Sequence, residues 1–502
     1  MFEQAHRVRV HEPEIGEHEA RFRWEVTPAT ELYHRTDFGL SFPGDLDLTA
    51  VPRALWWRIA LICLHTHWAV LRPCQVHLPV HLGAGEREFW LRLIDNVAVQ
   101  LEAYGSAPRP GRAAELVDVG PTLAPVPLAA DGTRAALAFS GGRDSLTLAA
   151  LLCELTERPI LVTTTSPVPW ARDNVGRARE ELLSDIVERA PVELVEVHSD
   201  YRTCWRLDFS ARDGCRLGVH ELSDIPLFQA VTLAVAAASG AGQTFMASEA
   251  DLQYNAARDG EVILHPEFLS CAATQSALDR LVRGFGLRQG SLTYALHRPQ
   301  VQRLLVRRYR HLAPLQLSCW RAPEGARACN GCGKCFQGTL FLLAEGVSPR
   351  SVGIDAIEVL CAYGDWRLDE PPVHEGPALH ELRSARHHAV RCLQQTATAR
   401  VASIFGSDAL TADDPRLGEA LAVFARMRAE ALALSVPPAP GYIAGFLELL
   451  EPELCGRVRT IFDQHFSPAP RGEFAEIVGR SRALAAWIGQ PLAGVSDSVT
   501  RR

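Results

Sequence analysis

Only one of the 51 basic residues in this 502-residue chain is a lysine, Lys334; the rest are arginine. That scarcity leaves no lysine-rich tail or block, and the net charge is −8. A nucleic acid partner is therefore not expected. The charge-free helical candidate Ile59–Leu71 has 13 residues and two histidines, read as too short and too polar to cross a bilayer. The N-terminus "MFEQAHRVRVHEPEIGEHEA" lacks the apolar core of a signal peptide. Cysteine is not organised as a disulfide framework. The 13 are an odd number and mostly scattered singly, which suits reduced thiols and a cytoplasmic location. No internal repeat, no Walker loop and no GxGxxG pattern occurs. With 47% hydrophobic and 22% charged residues, the composition is that of a soluble globular protein. Its length calls for two or three domains.

Three regions follow from the patterning. Residues 1–110 read as an α+β domain: "RFRWEV", "TDFGLSF" and "QVHLPVHL" alternate like strands, and "ALWWRIALICLHTHWAVL" and "EREFWLRLIDNVAVQLEAYG" read as helices. "SAPRPGR" and "GPTLAPVPLAADG" break regular structure near 105–132, as a boundary or a flap. Residues 111–355 turn α/β. Apolar strands "RAALAF", "PILVTTT", "VELVEVHSD" and "QTFMASEADLQ" alternate with helices, which predicts a parallel sheet buried on both faces. Residues 356–502 read as helical, including "ALHELRSARHHAVRCLQQTATARVASIF" and "GYIAGFLELLEPELCGRVRTIFDQHF".

Two motifs carry chemistry. The first strand runs straight into Ser140-Gly141-Gly142-Arg143-Asp144-Ser145 and then a helix. Glycines at that point let backbone N–H groups approach an anion, and the helix N-terminus adds its dipole. Asp144 beside phosphate calls for an intervening Mg²⁺. The second motif is Cys319, Cys329, Cys332 and Cys335, spaced C-x9-C-x2-C-x2-C. Four thiolates at that spacing can close a tetrahedron around Zn²⁺, with an iron–sulfur cluster as the rival.

"FSGGRDS" resembles the SGGxDS loop of the PP-loop ATP pyrophosphatases, which split ATP between its α- and β-phosphates. The cysteine spacing is similar to that of the 7-cyano-7-deazaguanine synthases. Over roughly residues 20–355 the layout most resembles the ATP-dependent UDP-N-acetylmuramoyl-L-alanyl-L-glutamate epimerases, through "FSGGRDS", "MASEADLQYN", "HPEFLSCAATQSALDRLVRGFG" and "LSCWRAPEGARACNGCGKCFQGTLFLLAEG". Arg143 stands where that family has its loop lysine, and the helical tail from about 356 does not align with it.

The resemblance implies a PP-loop (adenine nucleotide α-hydrolase-like) core. It also implies ATP, Mg²⁺ and Zn²⁺ as cofactors, and a small-molecule or peptide substrate with a free carboxylate. Adenylating that carboxylate removes its charge, so the neighbouring Cα–H becomes acidic enough for a general base. Residues 140–145 would hold ATP, with Asp144 on the metal. His220, Glu221, Glu249, Asp251 and His265 are the proton-transfer candidates. Asp224 is read as a helix cap or a further candidate. Lys334, between two cysteines, is placed to reach phosphate or carboxylate. The competing expectation is a PP-loop amide ligase or thiolation enzyme; a catalytically idle nucleotide-binding scaffold is a third.

Overall fold

The computed structural model describes residues 5–103, 112–165, 176–206, 220–253, 256–258, 261–263, 270–317, 319, 321–368, 379–408, 412–435 and 441–470. It is α/β, built on one mixed 11-stranded sheet.

The N-terminal half of the sheet comes from β1 (His6–Val10), β2 (Glu14–Ile15), β3 (Glu19–Thr27), β4 (Asp37–Ser41), β5 (Cys74–Leu78) and β6 (Ala114–Asp118). Two helices, α1 (Arg53–Leu71) and α2 (Ala84–Ala103), accompany them. In β3 the buried residues Ala20, Phe22 and Trp24 alternate with more exposed ones, as a half-buried strand requires. β6 lies within the stretch expected to be irregular. It pairs in parallel with β5, and five pairs from Cys74↔Ala114 to Leu78↔Asp118 give its short sequence a template.

The second half holds β7 (Asp131–Ala138), α3 (Arg143–Leu155), β8 (Ile160–Thr165), α4 (Gly176–Arg189), β9 (Glu193–Ser199), α5 (Ile225–Ser239), β10 (Ala241–Phe245), a small β11 (Ala256–Arg258)–β12 (Glu261–Ile263) hairpin, α6 (Ala272–Arg283) and β13 (Arg288–Gly290). Sheet order is β13-β10-β7-β8-β9-β4-β3-β1-β5-β6, with β2 pairing β3. The run β13-β10-β7-β8-β9 is parallel throughout. Numbered along the chain from β7, these five strands read 3-2-1-4-5 from the β9 side. The order therefore reverses between β7 and β10, where open α/β sheets bind ligands beyond the strand carboxyl ends.

Burial on both faces is visible within single strands. Ala135, Leu137 and Leu161 enter one core, and Ala136, Ile160 and Val162 enter the other. β10 runs close against β7: a Cβ on Gly242 would lie 2.7 Å from the Asp131 carbonyl oxygen.

The described N-terminal elements share their core with the second half of the sheet. β4 joins β9 through Leu40↔Ser199 and Ser41↔His198. Phe22, Trp56 and Leu61 share one core with Ala136, Val231 and Val235. α1 and residues 222–239, which include α5, are long and apolar enough to cross a membrane, so the 13-residue limit read above is too low. Both are instead largely buried, as expected of helices that are apolar all round.

The remaining helices are α7 (Arg298–Arg307), α8 (Gly333–Glu345), α9 (Ala356–Ala362), α10 (Leu379–Gln395), α11 (Thr398–Ser407), α12 (Leu417–Leu432) and α13 (Pro452–Asp463). They cover the other face, and Val390, Leu393, Phe424 and Met427 share a core with Leu146, Leu340 and Phe341. The stretch expected as one helix over 378–405 is two, parted at Thr396-Ala397. The stretch 441–466 is a 3₁₀ turn (Ala444–Leu449) followed by α13, whose first residue is Pro452. Proline suits that position because its missing N–H would be unbonded there anyway. The helix expected over "EFAEIVGRSRALAAWIG" lies outside the described residues.

Candidate functional site

The glycine loop occupies the carboxyl end of β7. Phe139 N–H bonds to the Val162 carbonyl at 2.8 Å, which holds the strand to β8 up to the turn. Gly141 then takes φ +76°, and a Cβ there would stand 2.9 Å from Leu182 Cδ1. Glycine is needed for both reasons. The Ser140 and Ser145 hydroxyls lie 3.1 Å apart, and Ser145 Oγ also donates to the Gly142 carbonyl at 3.2 Å. α3 starts at Arg143 with no side-chain cap, so its first N–H groups are free of the acceptor that an N-cap side chain would supply. Asp144 is engaged by its neighbour: Arg143 Nε and Nη2 donate to its two carboxylate oxygens at 2.8 and 3.1 Å. The loop therefore offers hydroxyls, a helix N-terminus and a carboxylate together, a set that suits a hard cation held against phosphate.

Across the reversal of strand order, β10 ends at Phe245 and the chain passes through Ser248, Glu249 and Asp251. Arg298 Nε donates to Glu249 Oε1 at 2.7 Å, and the Arg298 backbone N–H donates to Asp251 Oδ2 at 2.8 Å. The other Asp251 oxygen meets two imidazoles, His297 Nδ1 at 3.1 Å and His388 Nε2 at 2.9 Å. All five side chains are buried. Burial by itself would raise the Asp251 pKa, but the two imidazoles, His388 foremost, hold it well below the usual carboxylate range. Burial lowers the His388 pKa, opposed by Asp251.

The ligand atoms of Asp251, His297 and His388 lie within 4.8 Å of one another, so the trio could also hold a metal. One ring separates it from the glycine loop. The Phe341 centroid is 6.3 Å from that of His388, and the Arg143 guanidinium sits 5.6 Å from the Phe341 centroid.

The four cysteines converge. Cys319 Sγ is 3.4 Å from both Cys329 and Cys332, Cys332 is 3.6 Å from Cys335, and Cys329 is 3.9 Å from Cys335. A tetrahedron of bonds of about 2.3 Å has edges of about 3.8 Å, so the spacing is compatible with one metal ion held by the four sulfurs. Thiolates on the separate irons of a cluster would stand farther apart. The cluster is tied to the glycine loop: Leu317, two residues before Cys319, donates its N–H to the Gly141 carbonyl at 2.9 Å.

Other candidates fall elsewhere. Asp224 makes no side-chain cap; it pairs with Arg202 at 2.6 Å. His220 and Glu221 open a single π-turn, His220–Asp224, that leads into α5. Their side chains, and all of His265, lie outside the described residues. Lys334 is exposed on the first turn of α8. Local sequence pattern does not single out His297 or His388. The only signals were the His-Arg-Pro opening of α7 and the His387-His388 pair in α10, neither of which names a partner.

Compared with protein-family models, curated proteins and solved structures, the chain has no significant match in any of the three.

Proposed function

We propose that the protein is a cytoplasmic, ATP-dependent epimerase of the PP-loop type. It adenylates a peptide carboxylate, that of the terminal L-glutamate of UDP-MurNAc-L-Ala-L-Glu or a related peptide, and inverts the α-carbon. The observation that carries this reading is the pairing, at the reversal of strand order, of the Ser140–Ser145 loop with the buried acid–imidazole set around Asp251.

A substrate carboxylate oxygen attacks the α-phosphorus of ATP, and pyrophosphate leaves. The acyl-adenylate no longer carries the carboxylate charge, so its Cα–H can be taken by a base. A proton returns on the opposite face, and water releases AMP. Mg²⁺, held by Asp144, would offset phosphate charge. Zn²⁺ on the four cysteines would be structural, since thiolates fill every position. Ser140, Ser145 and the N–H groups at the start of α3 would hold phosphate. The Asp251–His297–His388 set is assigned to proton transfer, with the imidazoles as the exchanging groups and the low-pKa Asp251 carboxylate orienting them; Glu249 is neutralised by Arg298 and orients the segment. Lys334 is assigned to substrate or phosphate contact.

The test uses ATP, Mg²⁺ and the UDP-linked dipeptide in D₂O. AMP, pyrophosphate and a single α-deuteron should appear together, and only with ATP. Asp144→Asn should abolish all three. Asp251→Asn should still release pyrophosphate while deuteration falls. AMP formation on a true substrate without α-deuteration, together with a new amide or thio product, would replace this reading with the ligase one.

A further inference from the structure

Arg179 stands in the first half of α4 and reaches back over the carboxyl end of β8. Its Nη2 donates to Thr163 Oγ1 and, at 3.1 Å, to the Thr164 carbonyl. Its Nε is sealed from water without a partner. Both acceptors are neutral, and among the described residues no carboxylate forms an ion pair with it.

The charged groups around it do not resolve this. Glu196, opposite Thr163 in the β8–β9 register, attracts Arg179 but lies nearer His198, at 3.9 Å. Arg202 repels it and is itself matched by Asp224. Burial pushes the Arg179 pKa down to about 10. Arg179 as a whole is only partly buried, but a guanidinium whose Nε is sealed from water and whose partners are all neutral leaves its charge poorly compensated until an anion completes its environment.

Its position says where that anion would come from. β8 is the immediate neighbour of β7, paired through Ala138↔Val162, so Thr163 flanks the start of the glycine loop. Leu182, one turn beyond Arg179, is the side chain that abuts Gly141.

We propose that Arg179 is an anion-binding residue that takes a pair of phosphate or carboxylate oxygens from a ligand seated at the glycine loop. The planar guanidinium fork is suited to either oxygen pair. The inference rests on the proposed function for the identity of the ligand, and on the unmatched guanidinium for the anion itself.

The probes are Mg²⁺–ATP, inorganic pyrophosphate and L-Ala-L-Glu, with affinities measured by calorimetry for the wild type, Arg179→Gln and Arg179→Lys. If the anion is phosphate, Arg179→Gln should weaken ATP and pyrophosphate by more than about tenfold and spare the dipeptide. If it is carboxylate, the dipeptide alone should weaken. Arg179→Lys should fall between, because an ammonium cannot form the fork. Without ligand, Arg179→Gln should melt no lower than wild type, since it removes an unmatched charge.

Unchanged affinities for all three probes, a wild type that binds none of them, or an Arg179→Gln protein that unfolds more easily would overturn the proposal. Arg179-dependent anion binding without AMP formation would instead remove the epimerase reading and leave the anion site standing.

Discussion

His388, on helix α10 of the C-terminal region, bonds through Nε2 to Oδ1 of Asp251, 137 residues earlier in the chain, at 2.9 Å. The contact joins the tail to the strand-end segment and makes a sequence-distant helix part of the candidate site. Replacing His388 with Ala leaves a buried carboxylate with one imidazole fewer. Leaving a buried carboxylate short of one hydrogen-bond donor costs about 1–3 kcal/mol. Urea unfolding should show that loss, and α-deuteration of the peptide should fall with it. A His388→Ala protein of wild-type stability would mean that the contact does not anchor the tail.

The cysteine cluster should hold about one zinc per chain, bound by sulfur alone. Cys332→Ser should lower the metal content and the stability together, because metal binding to such a set is coupled to folding. The backbone link from Leu317 to Gly141 predicts that stripping this metal with a chelator also weakens ATP binding, which calorimetry would detect. A brown protein absorbing as an iron–sulfur cluster would refute the zinc assignment.

Gly141→Ala tests the loop. The left-handed φ of +76° and the contact with Leu182 at 2.9 Å both oppose a Cβ. The conformation alone costs about 1–2 kcal/mol, and relieving the contact must displace either the loop or α4. Pyrophosphate release should drop by more than about tenfold while the far-ultraviolet circular dichroism stays native. Wild-type turnover in this variant would show that the loop backbone is not where phosphate binds.

Acid should destabilise the protein through two histidines inside α1. Burial holds the His65 pKa down to about 4, against the pull of the Ile62 and Leu61 carbonyls. Burial, with His65 adding to it, holds His67 well below its ordinary value. Unfolded, each takes a proton near pH 6.5. Because the folded pKa values are the lower ones, the unfolded state binds the extra protons as pH falls. Stability is therefore complete above about pH 6.5 and declines toward about pH 4, by about 1.4 kcal/mol per pH unit for each histidine. Melting temperatures across that window should fall, and His65→Gln should flatten the slope. An unaltered slope in that variant would assign the acid sensitivity to other groups.

Much of this protein was legible in its sequence because the relevant physics is local. Apolar runs alternating with helical ones specify a parallel sheet buried on both faces. "SGGRDS" after such a run specifies a turn that only glycine can make, and Gly240 ends α5 in the left-handed conformation, at φ 71°. Two-residue gaps between cysteines specify convergence, since adjacent turns bring their sulfurs to one point.

The tertiary structure decided what depends on distant partners. β1, β6, β13 and α7 are too short or too polar to announce themselves, and the strands among them form only because a neighbouring edge supplies hydrogen bonds. That residues 1–110 extend the central sheet is set by the β4–β9 pairing, which no local pattern encodes. The Asp251–His297–His388 trio joins three segments across 137 residues. A lone histidine in a helix reads the same whether it faces water or a buried carboxylate, so only packing could choose between the two.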